Sequence, residues 1–401
     1  VTTLRAAQPS RLHGSGLMLA AIVLVALNLR LAITSVPPLL ERIGEDLHLS
    51  RAWTGALTTL PVLCMGVFAP VAQRMAHRLG RERATAVAMA VLAVGTAVRW
   101  GGGHLVLLYL GTLLAGFGIA VGGTIAPGIV KEYFPEHVGL VTAAYMLAMM
   151  GGAAVASGVS VPLANALSSW PASLASWTLL ALLGTALAWP VARRAAAHRT
   201  ASGGSAEQRL PLPWRHPTAW LVAGFLALQS WQFYSELTWV PPFYQAHGWS
   251  ATRAGLLLSV FSAMQVVSGV AGPVVAHRVH DRRPLLVASV VSVAGGLLGM
   301  LLAPEAAPWV WVALLGLGLG SGFALGLVLF ADYSLTPAGS SRLSALAFLI
   351  SYCLAAAGPV VVGALRDATG SFQLPFTILL VMLVPQAAAA MLLHPRRPRT
   401  P

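Results

Sequence analysis

Long apolar runs separated by short polar stretches dominate the chain. A membrane-crossing helix needs about 20 mostly apolar residues. Twelve runs of that kind can be drawn, near 17–40, 52–73, 84–101, 104–131, 138–162, 172–193, 218–244, 252–275, 284–303, 307–331, 342–365 and 372–394. One connection alone is long and polar, "RAAAHRTASGGSAEQRLPLPWRHP" at 194–217, and it divides the runs six and six. The pattern predicts an all-α membrane protein with twelve transmembrane helices in two bundles, over 1–193 and 218–401, joined by the linker 194–217.

The two halves repeat one another. Gly55, His77 and Arg78 recur at a constant offset as Gly255, His277 and Arg278. Gly116, Gly118 and Gly122 recur as Gly316, Gly318 and Gly322, and "KEY" at 131–133 faces "ADY" at 331–333. "VPP" at 36–38 pairs with "VPP" at 240–242. Several matches at one offset argue for homologous six-helix halves. Parallel repeats of this sort mark a transporter architecture whose substrate binds between the halves near mid-membrane. The glycines in the fourth run of each half are expected to let helices approach closely. Gly358-Pro359 is expected to bend the eleventh.

Composition agrees. The chain of 401 residues is 57% hydrophobic and only 9% charged, against about 25% charged in soluble domains. The net charge of +13 would suggest nucleic acid in a soluble protein. Here the basic residues sit in short loops, so they report membrane orientation and no nucleic-acid partner is expected. One set of loops holds only Arg42, Arg51, Arg99, Arg253 and Arg366, and the rest of the Lys and Arg, Arg30 aside, fall on the other side. The positive-inside rule makes that richer side cytoplasmic, with both termini and the linker. Trp53, Trp100, Trp170, Trp239, Trp249, Trp309 and Trp311 fall near the outer ends, as an interfacial belt would. The first residue is Val, which fits a GTG start and hence a bacterial cell membrane. Arg5 and Arg11 precede an apolar run too long for a cleaved signal, so the first helix is expected to stay. Cys64 and Cys353 lack disulfide or metal spacing and read as small buried hydrophobes. No metal site or cofactor motif is expected, and no phosphate-binding loop occurs, so ATP does not drive the protein directly. A monomer is the default.

The candidate chemistry begins in "NLRLAITSVPPLL", residues 28–40. Arg30 lies about 20 Å along its helix, too deep to reach the interface by extending its side chain. A central Arg costs roughly 2.5–3.5 kcal/mol to insert. Aligning the two "VPP" segments sets Arg30 opposite Tyr234, so the second half has no matching charge. Arg30 therefore reads as the anchor for an anionic or strongly dipolar substrate, since its planar fork suits a flat anion. The competing reading is a structural ion pair. Glu236 is the one acid placed inside a predicted span, on a face with Gln229, Gln232 and Phe233. Three readings stay open: it pairs with Arg30, it carries a coupling proton, or it sits at the outer interface. Asn28 and Thr34 flank Arg30. Tyr145 and Met149 form an i, i+4 pair, and Gln265 and Tyr352 are isolated polar groups in apolar runs. These could line a site for a small flat solute, or simply pack.

The 6 + 6 pattern resembles the major facilitator superfamily. The loop "RMAHRLGRER" at 74–83 is similar to that superfamily's conserved loop through Arg78, Gly80 and Arg81, with His77 at its acidic position; Arg278 survives in the matching loop "AHRVHDRR". These residues are implied to form a conformational loop. "NLRLAITSVPPLLERIGEDLHLS", "LQSWQFYSELTWVPPFYQAHGWS" and "GPVVVGALRDATGSF" together resemble the cyanate permease and nitroimidazole transporter family, whose members handle small compact solutes. The resemblance implies a secondary transporter, not an enzyme, moving a small anion or polar organic molecule by alternating access, with proton coupling through Glu236 as an option. Glu236 stands where that family would have an apolar or small residue, which leaves the substrate open. A multidrug exporter of the same fold, or a transporter-like sensor, is the alternative. The absence of proline from "MMGGAAVASG" in the fifth run counts against the exporter.

Overall fold

The computed structural model describes residues 16–199, 212–398 and Thr400. Arg5, Arg11 and the middle of the linker lie outside them. The first half runs α1 (Gly16–Thr34), α2 (Leu40–Asp46), α3 (Arg51–Val67), α4 (Ala69–Leu79), α5 (Arg81–Val98), α6 (Leu105–Tyr133), α7 (Val138–Ala166), α8 (Trp170–Ser176) and α9 (Thr178–Arg199). The second runs α10 (Pro217–Ala246), α11 (Ala251–Arg278), α12 (Arg283–Leu302), α13 (Pro308–Asp332), α14 (Pro337–Ala355), α15 (Ala357–Thr369) and α16 (Gln373–Leu392).

Among the described residues, ten helical stretches are long and apolar enough to cross a membrane. The bent pair α3–α4 makes an eleventh if it is one span. The remaining expected span, 218–244, forms the 30-residue α10. It is long enough but too polar to count by composition, because Gln229, Ser230, Gln232, Ser235 and Glu236 fill its middle. Those residues are all buried against other helices, so α10 trades lipid contact for protein contact.

Several expected spans are broken, three of them beside a proline; the break at Trp177 between α8 and α9 has none. Proline supplies no backbone N–H and crowds the preceding turn. Pro37 and Pro38 end α1 and open a short 3₁₀ turn. Pro70 follows the 54° bend between α3 and α4. Pro359 leaves Ala355 without its usual partner, so the expected bend at Gly358-Pro359 falls at Ala356, whose carbonyl accepts from Thr59 Oγ1 at 2.6 Å.

The repeat seen in the sequence reappears as packing. Ser50 and Ser250 each cap a helix, accepting from the backbone N–H three residues on. A Cβ on Gly116 would lie 2.9 Å from Pro61 Cα, and one on Gly316 would meet the Phe261 carbonyl. Gly118 presses on the Ala88 carbonyl and Gly318 on that of Ser289. Arg81 pairs with Glu132 at 2.9 Å in one half, and Arg282 with Asp332 at 3.0 Å in the other. Any side chain at these glycines would push helix pairs apart, which is why they recur.

Three expectations are corrected. Arg99, expected in an outer loop, is completely buried, and its Nη1 donates to the Ala32 carbonyl at 2.8 Å. It satisfies one of the last carbonyls of α1, where a cation also suits the helix dipole. Trp170 and Trp239 are buried, not interfacial: their indole N–H groups donate to Asp46 and to the Pro359 carbonyl. Cys353 is exposed, and only Cys64 is buried. Burial of an acid is not confined to Glu236: Glu82, in the first turn of α5 just outside the expected span 84–101, is buried too and accepts from Tyr133 at 2.7 Å.

Candidate functional site

We call the end of the molecule where α9 finishes and α10 starts the linker end. At the opposite end the two halves are stitched together. Thr238 Oγ1 donates to Thr58 at 2.8 Å, and Ser259 Oγ donates to the Ala154 carbonyl at 2.7 Å. The backbone N–H groups of Arg51 and Ala52, at the start of α3, donate to the two carboxylate oxygens of Asp367 on α15, each at 3.0 Å. Asp367 thus caps a helix belonging to the other half. Gly55 and Gly363 allow the close approach: a Cβ on Gly55 would lie 2.6 Å from the Pro359 carbonyl, and one on Gly363 would strike that of Arg51.

Below this seal lies a cavity of about 490 Å³ between the halves. It reaches toward the linker end past Thr142 and Ala143 on α7 and Pro273 on α11. Its walls are mainly apolar, with Met146, Met150, Leu319 and Phe323 among them. Among the described residues, Arg30 is the one charged residue in the lining. Its guanidinium carbon lies 5.0 Å from the Phe233 ring centre and 5.8 Å from that of Tyr234. Such cation–π contacts are worth about 0.5–2 kcal/mol each, which offsets part of the cost of holding the charge there. Nη1 of Arg30 is buried and has no hydrogen-bond partner. Tyr234, the residue that the repeat sets opposite Arg30 in sequence, is therefore also its neighbour in space.

The expected site residues divide. Gln229, Phe233, Gln265 and Tyr352 line the cavity with Arg30. Gln229 donates to the Leu319 carbonyl at 2.9 Å, and the Tyr352 ring stacks on Phe348 at 5.7 Å. Tyr145 is buried and near enough to feel the charge of Arg30. The remaining residues turn elsewhere. Asn28 donates to Leu24 and Leu180 inside the first half, and Thr34 donates back to the Arg30 carbonyl. Gln232 donates to Leu379 of α16 at 2.5 Å. Met149 packs against the core away from the cavity wall, whereas Met146 and Met150 line the cavity.

Glu236 is fully buried with neither oxygen partnered, and it is not part of the cavity wall. It makes no ion pair with Arg30 in this conformation, so the pairing reading finds no support in the geometry. The interfacial reading fails as well, because the side chain is sealed from solvent.

The loop residues lie at the linker end. Arg78 and Arg278 are exposed. Gly80 has φ 86°, which a residue without a Cβ adopts freely, and it joins α4 to α5 so that Arg81 reaches Glu132. Sequence reasoning missed Asp367 and Arg99. Asp367 stands inside the quoted "GPVVVGALRDATGSF", but nothing in the spacing said that its partner was another helix's N-terminus.

Comparison with known proteins accounts for the architecture. The family model of the Major Facilitator Superfamily matches residues 18–357. An uncharacterised transporter of Bacillus subtilis, YycB, is 34% identical over 93% of this chain and 92% of its own. The 2-nitroimidazole transporter of Escherichia coli is 33% identical, covering 89% of this chain and 90% of that one. The cyanate transport protein CynX of the same organism is 30% identical, covering 88% and 91%. Among solved structures, a bacterial homologue of the human lysosomal transporter Spinster, in an inward-facing and unoccupied conformation, superimposes with a TM-score of 0.72 at 16% identity, covering 94% of this chain and 96% of that one. With a family model spanning most of its length and relatives of this closeness, the chain belongs to the Major Facilitator Superfamily, as a multi-pass membrane transporter of the cyanate and 2-nitroimidazole type.

Proposed function

We propose that the chain carries a small organic anion with a flat apolar body across a bacterial cell membrane by alternating access, with Arg30 as the anchor. One observation carries this reading: among the described residues Arg30 is the sole charge in a cavity walled mainly by aromatic and aliphatic side chains, and its Nη1 has no hydrogen-bond partner. A guanidinium fork offers paired donors to a carboxylate, and apolar walls suit a planar body. The volume lies inside the range of about 300–1,000 Å³ common for small-ligand pockets and exceeds what a triatomic anion needs. Relatives for cyanate and 2-nitroimidazole are consistent with a compact substrate. The basic loops support a cytoplasmic linker end, which makes this conformation the inward-facing one.

Thermal stabilisation of the purified protein tests the reading. The panel is benzoate, cyanate, 2-nitroimidazole and a bulky cationic drug, on wild type and Arg30→Ala. A ligand that binds only the folded state raises the melting temperature with its concentration. The expected result is stabilisation by benzoate that Arg30→Ala abolishes. Equal stabilisation of both proteins by the cationic drug alone would replace this reading with a multidrug exporter.

A further inference from the structure

We infer that the transporter is an obligate anion exchanger, returning across the membrane only with a second anion on Arg30. This rests on the anion-anchor reading above. The chain has twelve acidic residues, and Glu207 lies outside the described residues. Glu41, Glu132, Asp332 and Asp281 are each paired with an arginine near the ends of helices. Asp46 accepts from Trp170, Glu82 from Tyr133, and Asp367 caps α3. Glu45 is exposed on α2, and Glu136 and Glu305 are exposed in loops. Glu236 is buried without a partner and outside the cavity wall. Among the described residues, no carboxylate therefore meets Arg30. The titratable residues near it are Tyr145, Tyr234 and Tyr352, which are phenols and not carboxylates; Tyr234 presents its ring, and its hydroxyl donates to Met65.

The consequence concerns the empty carrier. In the inward-facing conformation Arg30 is half-buried in the cavity wall, so part of its side chain still meets water. Passing to the outward-facing one requires the cavity to close, and the hydration is lost against apolar walls. A buried charge without a counter-charge is strongly disfavoured. A transporter that returns empty needs a carboxylate to take the place of the departed anion, and among the described residues none is paired with Arg30 or lines its cavity. A bound anion is then the only neutralising group, so the loaded form crosses in both directions and the empty form does not. Exchange of one monoanion for another moves no net charge.

The test uses the full-length protein in liposomes with radiolabelled benzoate outside. One set of vesicles holds unlabelled benzoate, and the other holds sulfate as its sole anion. Uptake is expected to be at least about tenfold faster into the benzoate-loaded set, because the empty carrier pays for an unpaired buried charge. Clamping the membrane potential with valinomycin and potassium should leave that rate unchanged. Equal initial rates in the two sets would overturn the inference, as would accumulation in sulfate-loaded vesicles driven by an acid-outside pH gradient. Thermal stabilisation, measured in parallel, separates the two levels. Benzoate binding that needs Arg30, with uptake indifferent to the internal anion, removes exchange and leaves the anchor. No Arg30-dependent binding removes both.

Discussion

Asp367 is expected to act as a latch on the closed end, and removing it should shift the balance between the two conformations. Its two oxygens accept from the N–H groups of Arg51 and Ala52 at 3.0 Å. These are donors that the start of a helix leaves without intrahelical partners. They lie on the half opposite to Asp367, so the bonds exist only while that end is shut. Losing a side-chain cap costs about 0.5–2 kcal/mol. Asp367 is exposed, and water screens it, which argues for the lower half of that range. A loss of about 1 kcal/mol changes an equilibrium about fivefold, so Asp367→Ala should raise the outward-facing population by that factor. Asp367→Asn keeps one acceptor oxygen and should fall between. Spin labels on cysteines replacing Trp100 and Leu374, both exposed near the closed end, would report the separation by pulsed electron resonance. Cys64 and Cys353 would first be changed to Ala. A long-distance population that grows in the order wild type, Asn, Ala is the expected outcome. Identical distance distributions in all three would refute the latch.

Other predictions concern the cavity and the packing. Arg30→Lys should retain weak binding of benzoate, because charge survives but the planar fork is lost; affinity equal to wild type by calorimetry would argue against paired donation. Glu236→Gln should leave the pH profile of uptake unchanged, since the side chain is sealed from the cavity in this conformation. A flattened profile in that variant would instead assign it the coupling proton. Gly116→Ala should destabilise by about 1–3 kcal/mol through overpacking, because the new Cβ would lie 2.9 Å from Pro61 Cα, and Gly316→Ala should do the same in the second half. Melting temperatures in detergent within error of wild type would show that the helix pairs have slack.

Arg30, Gln229, Phe233, Gln265 and Tyr352 were legible as candidates because a polar or charged group in an apolar run is costly and needs a use. Gln232 and Glu236 looked equally good on the same helix. They differ from Gln229 and Phe233 only in which neighbour they meet, and α10 is buried on nearly every side. Periodicity marks a face against a single polar surroundings; it does not separate a cavity from a packed helix. The same limit explains the shift from Met149 to Met146 and Met150.

The sequence by itself determined the membrane class, the two-fold repeat, the positions of most spans and the depth of Arg30. Those follow from local quantities: run length against bilayer thickness, recurrence at one offset, and the cost of a charge in hydrocarbon. Only the tertiary structure decided that Arg30 rests on Phe233 and Tyr234 with no acid of the described residues paired to it, that Arg99 is buried under the end of α1, and that Asp367 bridges the halves at one end of the molecule. Each of these joins residues far apart in the chain, through a carbonyl, a helix terminus or a ring face. Backbone groups and aromatic faces are present at nearly every position, so nothing in the residue order marks which of them a distant side chain will find.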